Sequence, residues 1–353
     1  MNGPQLKLAG FACAYTPLAL LDAAGMTPFR VLPVGGDWPD QAGTLLHDNI
    51  CPHVKRVLNR AMAGDVPELS VMVFMNSCDA MRRLYDAWRA IRPQDRTFFV
   101  ELPPTADENA VPYFVNALKR LAGELAEAGG DPIDQARLLN SLVAWKTIAN
   151  LQDELRARVR RGSFPGGPAR LQEIYNQCAS RPFSDTLAAL DALVRAPEEA
   201  AGNKGLVPVL LFGNVLPDPE AIALFEQCGA KIADEDLCTG SRLFAAGDPG
   251  TDPDPFRQLA SMILGKPPCA RTFDSSAPLS FARNVLSRAR QAEAAGVIAH
   301  VVKFCDPYLA RLPAVRETLR QQQIPFLLLE GDCTLGSLGQ ARTRIEAFME
   351  MLR

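Results

Sequence analysis

The chain has 353 residues, 48% of them hydrophobic and 22% charged, with a formal net charge of -3. That length suits two α/β domains of ordinary size, and the near-neutral balance provides no basic surface for nucleic acid or an anionic membrane. The N-terminal segment lacks a basic stretch followed by a long apolar run, and nowhere do the ~20 apolar residues of a membrane span run together, so a cytoplasmic protein is expected.

In chain order, helical periodicity at 17–24 is followed by a strand at 28–34, a helix at 55–63, a strand at 69–76, a helix at 79–92 and a strand at 97–102. The strand signal then stops. From about 105 to 205 the pattern reads as helices, at 109–128, 134–161, 168–178 and 184–196, separated by breaks such as GSFPGGP. Strands return at 206–212, 230–234, 296–304 and 324–330, alternating with helices at 219–228, 280–294, 308–322 and 337–352, while AAGDPGTDPDPF at 245–256 is expected to be a surface loop. Several strands are continuous apolar runs, as parallel strands buried on both faces require. The alternation predicts an α/β fold with two parallel-sheet layers and a helical connection between them. The expected division is an N-terminal α/β domain with a helical extension over 1–165 and a C-terminal α/β domain over 166–353. Neither Gly35-Gly36 nor Gly166-Gly167 belongs to a GxGxxG or GxxxxGK[ST] loop.

Nine cysteines are many for a chain whose compartment keeps thiols reduced, and the odd number does not suit a disulfide framework. Most are expected to be small buried hydrophobes. Three stand instead in polar turns at element ends. Cys78 follows LSVMVFMNS and precedes a helix, Cys305 follows GVIAHVVKF and precedes DPYLARL, and Cys51 opens CPHVKRVLNR. Ligands of open parallel sheets bind beyond the carboxyl ends of strands, and helix N-termini favour thiolate and sulfide charge. A structural zinc usually takes four ligands from local pairs such as CxxC. No CxxC occurs, and His47, His53 and His300 form no matching pair. Three dispersed thiols suit an iron–sulfur cube with one iron left open. Cys178 and Cys228, in helical patterns, are read as bystanders. Cys13, Cys238, Cys269 and Cys333, in loops, rank below the three, with Cys238 the most serious rival.

Several stretches together resemble the 2-hydroxyacyl-CoA dehydratase component proteins, a family that includes benzoyl-CoA reductase subunits. They are the segment from Gly10 through Cys13 to Pro17 with Ala23-Ala24-Gly25, then Cys51-Pro52, Asn76-Ser77-Cys78-Asp79, Asp236 to Arg242, Val302 to Pro307, and Gly339 to Phe348. They run in order along nearly the whole chain. The resemblance implies two flavodoxin-like or Rossmann-like domains and a [4Fe-4S] cluster on Cys51, Cys78 and Cys305. It also implies a paralogous subunit and an ATP-hydrolysing iron–sulfur activator, which injects a low-potential electron that reaches the thioester of an acyl-CoA. Asn76, Ser77 and Lys303 flank the cysteines as possible supporting groups. Arg242, Arg342, Arg344 and Gln340 are candidates for contacts to the phosphates or pantetheine of CoA. Glu330 or Asp332 is expected to hold such an arginine or to cap the last helix. The chain departs from the family after Pro17 and at Lys55, so no general acid or base is assigned. Its length suits the smaller, electron-relaying subunit. The alternatives are a homodimeric reductase of small molecules with a sulfide-bridged double cubane, and a non-enzymatic iron–sulfur electron carrier.

Overall fold

The computed structural model describes residues 6–34, 39–107, 109–199, 205–333 and 341–353. Two four-stranded sheets, each wholly parallel, carry the fold. The first contains β1 (Leu8–Phe11), β2 (Thr27–Arg30), β3 (Val71–Met75) and β4 (Arg96–Val100) in the order β2-β1-β3-β4. The second contains β5 (Val207–Gly213), β6 (Ala230–Asp236), β7 (Gly296–Val302) and β8 (Phe326–Gly331) in the order β6-β5-β7-β8. The α/β class and the two parallel layers expected from the alternation are therefore present. All five residues of β3 and all seven of β7 are buried, which explains why β3 reads as an unbroken apolar run and β7 as one interrupted only by His300.

Helices cover both faces of each sheet, because a sheet apolar on two sides must bury both. On the first sheet, α1 (Leu18–Ala23), α4 (Ala110–Glu127) and α5 (Gln135–Arg161) share one core, and α2 (Pro52–Met62) and α3 (Asp79–Ile91) share the other. On the second, α8 (Pro219–Gln227) and α12 (Arg342–Leu352) lie under one face, with α10 (Ser280–Gln291) and α11 (Asp306–Gln321) under the other. The predicted helical connection is α4, α5, α6 (Gly167–Cys178) and α7 (Phe183–Arg195). Helix α5 is capped by Asp134, whose carboxylate accepts the Arg137 N–H at 2.8 Å, and stops at Gly162 in the left-handed region, φ 73°. It packs against α1 and α7, and also meets α6 and β6. The connection thus ties the two sheets together rather than merely joining them in sequence.

Two elements differ from expectation. Strand β1 is four residues of LAGF, too short to show a period. At Gly10 an added Cβ would stand 2.6 Å from the side-chain ends of both Leu69 and Met72, which pack directly onto the strand's backbone there. The loop expected at 245–256 yields at its end to α9 (Pro255–Leu264), whose N-cap Asp254 accepts the Phe256 N–H at 2.8 Å. Pro255 at the first helical position, read in the sequence as a breaker, is a helix start. Gly35-Gly36, Gly339 and Gln340 lie outside the described residues. Among the described residues no helix is long and apolar enough to cross a membrane.

Candidate functional site

In a parallel sheet the crevice lies where chain connections leave neighbouring strands in opposite directions, here between β1 and β3 and between β5 and β7. The segments leaving those four strands all line one cavity of about 100 Å³: Ala12 to Tyr15 after β1, Ser77-Cys78 after β3, Asn214-Val215 after β5, and Cys305 with Pro307-Tyr308 after β7. The two sheets therefore contribute their switch points to a single chamber. Cys51 enters from the connection between β2 and α2, Cys238 from the turn after β6, and Cys269 from the segment between α9 and α10.

Each of the three cysteines singled out from the sequence is the N-cap residue of a helix: Cys51 of α2, Cys78 of α3 and Cys305 of α11. Asp306 and Pro307 begin α11 as expected. The preceding strand, however, ends at Val302 rather than Phe304, and Phe304 turns the chain in the left-handed region at φ 58° with its ring exposed. Burial pushes the Cys51 thiol up to about 12, the backbone amides of His53 and Val54 oppose this, and Cys78 adds to the rise. Cys78 is pushed up to about 12 by burial, against the Met81 amide, with Cys13 and Cys305 adding to it. Cys305 goes up to about 12 for the same first reason, with Cys51 next. The three thiols thus feel one another although they are far apart in sequence. They also share a second, wider opening of about 420 Å³ with Ile50, Asp79 and Phe304.

The structure adds what local sequence did not show. Cys13, Cys238 and Cys269, ranked lower from the sequence, line the same chamber as the first three. Cys238 and Cys269 meet: the contact with Cys269 and burial push Cys238 up, while the contact with Cys238 and the Arg242 charge hold Cys269 down. Asn214 joins strand ends to thiols. Its Oδ1 accepts the N–H groups of Val215 and Val302, each at 3.0 Å, and its backbone carbonyl accepts the Cys238 N–H at 2.7 Å. Arg30, the last residue of β2, donates from Nη1 to the Cys238 carbonyl at 2.7 Å and from Nη2 to the Ala12 carbonyl at 3.4 Å. Lys266 donates to the carbonyls of Ala14 and Leu243 at 2.9 and 3.0 Å, and burial holds its ammonium down at about 7. His53 lines the chamber with both ring nitrogens buried and unpartnered. No local motif marks these groups, because they meet only when both sheets are assembled.

Ser77 lines the chamber, whereas the Asn76 amide faces an outer groove, donating to Glu101 Oε2 at 2.6 Å and accepting from Arg82 Nε at 2.7 Å. Lys303 is exposed. Arg342 donates to Gln227 and Arg344 to the Leu328 carbonyl, and neither lines the chamber. Lys55 pairs with Asp48 at 3.3 Å. Cys178, Cys228 and Cys333 are core residues.

Among the described residues, no group of three or more His, Cys, Asp or Glu side chains gathers tightly enough to hold one metal ion. Six thiols around a common chamber are a donor set of another kind. An iron–sulfur cluster brings its own sulfide and spreads its irons, so its ligands stand around it rather than at one point. The residues present suit that group better than a single ion.

A family model described as 2-hydroxyglutaryl-CoA dehydratase, D-component, matches residues 13–352. The chain is 23% identical to lactoyl-CoA dehydratase subunit beta of Anaerotignum propionicum, over 97% of this chain and 91% of that one. It is 22% identical to the (R)-phenyllactyl-CoA dehydratase beta subunit of Clostridium sporogenes, over 98% and 92%, and 20% identical to a benzoyl-CoA reductase subunit of Thauera aromatica, over 99% and 92%.

Proposed function

Because the chain belongs to the 2-hydroxyglutaryl-CoA dehydratase D-component family, we propose that it is an iron–sulfur subunit of a 2-hydroxyacyl-CoA dehydratase or benzoyl-CoA reductase type enzyme, working on an acyl-CoA thioester. The observation that carries this is the meeting, in one chamber, of three N-capping cysteines drawn from both sheets. Cys51, Cys78 and Cys305 are the proposed ligands of a [4Fe-4S] cluster, which when bound supplies one-electron transfer at low potential. The chain's own residues place and shield it. Helix N-termini turn amide N–H groups toward thiolate and sulfide charge, the Asn214 amide ties Val302 and Val215 into one rigid support, and the side chains of Val54 and Met81 give the chamber an apolar wall. Relatives named as beta subunits support a paralogous partner, and an ATP-dependent iron–sulfur activator is the proposed electron source.

A second function is favoured by Cys13, Cys238 and Cys269 in the same chamber. Two trios of thiols suit two cubanes joined by sulfide, held within one chain rather than shared between two, in a homodimeric reductase of small molecules. Iron and sulfide counts after anaerobic purification, with the mass in solution, separate the two. About four irons per chain in a heterodimer supports the first function, and about eight per chain in a homodimer supports the second. Cys305→Ala should lose iron in either case. Cys238→Ala should keep about four irons under the first and lose about half under the second. Iron retained at the wild-type level by Cys305→Ala would overturn the ligand assignment.

A further inference from the structure

The chamber holds more positive charge than its walls neutralise. Arg242 is 1% exposed and lines the chamber beside Cys238, Cys269 and Tyr308. Its Nε donates to Asp236 Oδ1 at 3.0 Å and its Nη2 stands 2.6 Å from Asp236 Oδ2, which fixes the plane of the guanidinium. Its Nη1 and Nη2 are both buried without a hydrogen-bond partner, Nη2 being held to Asp236 only as an ion pair. Asp236 does not belong to Arg242 alone, since Arg288 Nη1 approaches the same carboxylate at 3.2 Å. Across the site, Arg30 is equally buried and bonds only to neutral carbonyls, with its Nε unpartnered. An unpaired charge or an unmade donor in such a place costs about 1 to 3 kcal/mol or more. A cavity built this way is complementary to an anion.

Resting on the iron–sulfur assignment above, we propose that Arg242 is a positioning and tuning residue whose Nη1 gives a charge-assisted hydrogen bond to an anionic sulfur of the group held in the chamber, and that it raises that group's reduction potential. Reduction adds negative charge, so a fixed cation nearby favours the reduced state. Asp236 supplies the aim. Arg30 is the weaker candidate for the same work because both of its terminal nitrogens are committed to Cys238 and Ala12.

The test compares wild type with Arg242→Gln and Arg242→Lys, purified anaerobically, by iron and sulfide content and by redox titration followed by electron paramagnetic resonance. Arg242→Gln leaves Asp236 its pairing with Arg288, so the fold has a cation to rest on. Iron content at the wild-type level is expected, with a midpoint shifted to more negative values and the reduced-to-oxidised ratio at the wild-type midpoint at least tenfold lower, which for one electron is about 59 mV. Arg242→Lys keeps the charge but loses the Nη1 hydrogen bond, so a smaller but measurable shift to more negative values is expected. Unchanged midpoints in both loaded variants overturn the proposal. Should Arg242→Gln load no iron, Arg242→Lys decides: loading with a shifted midpoint supports the proposal, and loading without a shift, or no loading with a native circular dichroism spectrum, assigns Arg242 a purely structural part and overturns it. Absence of iron from the wild type would instead sink the iron–sulfur assignment itself.

Discussion

His300 shows how one buried side chain sets a pH dependence. It lies in β7, 1% exposed, and burial holds its imidazole down at about 4, with Asp332 pulling slightly the other way. The unfolded chain takes up a proton near the ordinary value of 6.5 while the folded chain does not until about 4, so stability falls as the pH drops through that window. Between pH 7 and pH 5 this group should cost roughly 2 kcal/mol. Urea unfolding of the wild type and of His300→Leu at both pH values measures it. A variant that loses as much stability on acidification as the wild type would show that His300 is not responsible. At the same scale, cysteines 51, 78 and 305 were legible because each opens a helix after a polar turn. Cys269 and Asn214 were not, because their surroundings are set by residues distant in the chain.

At the scale of the element, the ends of β5 and β7 must close on each other for the thiols to meet. Gly213 allows it: an added Cβ would stand 1.8 Å from the His300 carbonyl oxygen, and backbone on a central strand cannot swing away as a flexible side chain would. Gly213→Ala should therefore cost about 3 kcal/mol or more in urea unfolding and lower the iron content of the anaerobically purified protein. A variant as stable as wild type with full iron content would mean that the strands separate freely and that the approach is not needed. The alternation of strands and helices was readable because each long segment carries its own period. Strand β1 and helix α9 were not readable, the first because four residues show no period and the second because Asp254-Pro255 resembles a loop until the helix behind it is seen.

At the scale of the whole molecule, the segment from Cys269 to Phe273 crosses from the second half to the first and closes the chamber. Arg271 donates to the carbonyls of Ser77, Pro103 and Leu102 at 3.0, 2.7 and 3.2 Å, and the Phe273 N–H donates to Pro104 O at 2.9 Å. Arg271→Ala leaves three carbonyls without their cation and should destabilise the protein by about 3 kcal/mol, with faster amide exchange over residues 269–273. Unchanged exchange there would show that other contacts hold the strap. The α/β class, the run of helices between the sheets and three of the chamber's thiols follow from short-range pattern, since hydrophobic period, strand-end turns and helix starts are properties of neighbours in the chain. The joining of six thiols, two buried arginines and Asn214 into one site was decided only in three dimensions. Those groups come from seven separate connections and the end of β2, and what brings them together is the packing of two sheets whose switch points open onto the same space.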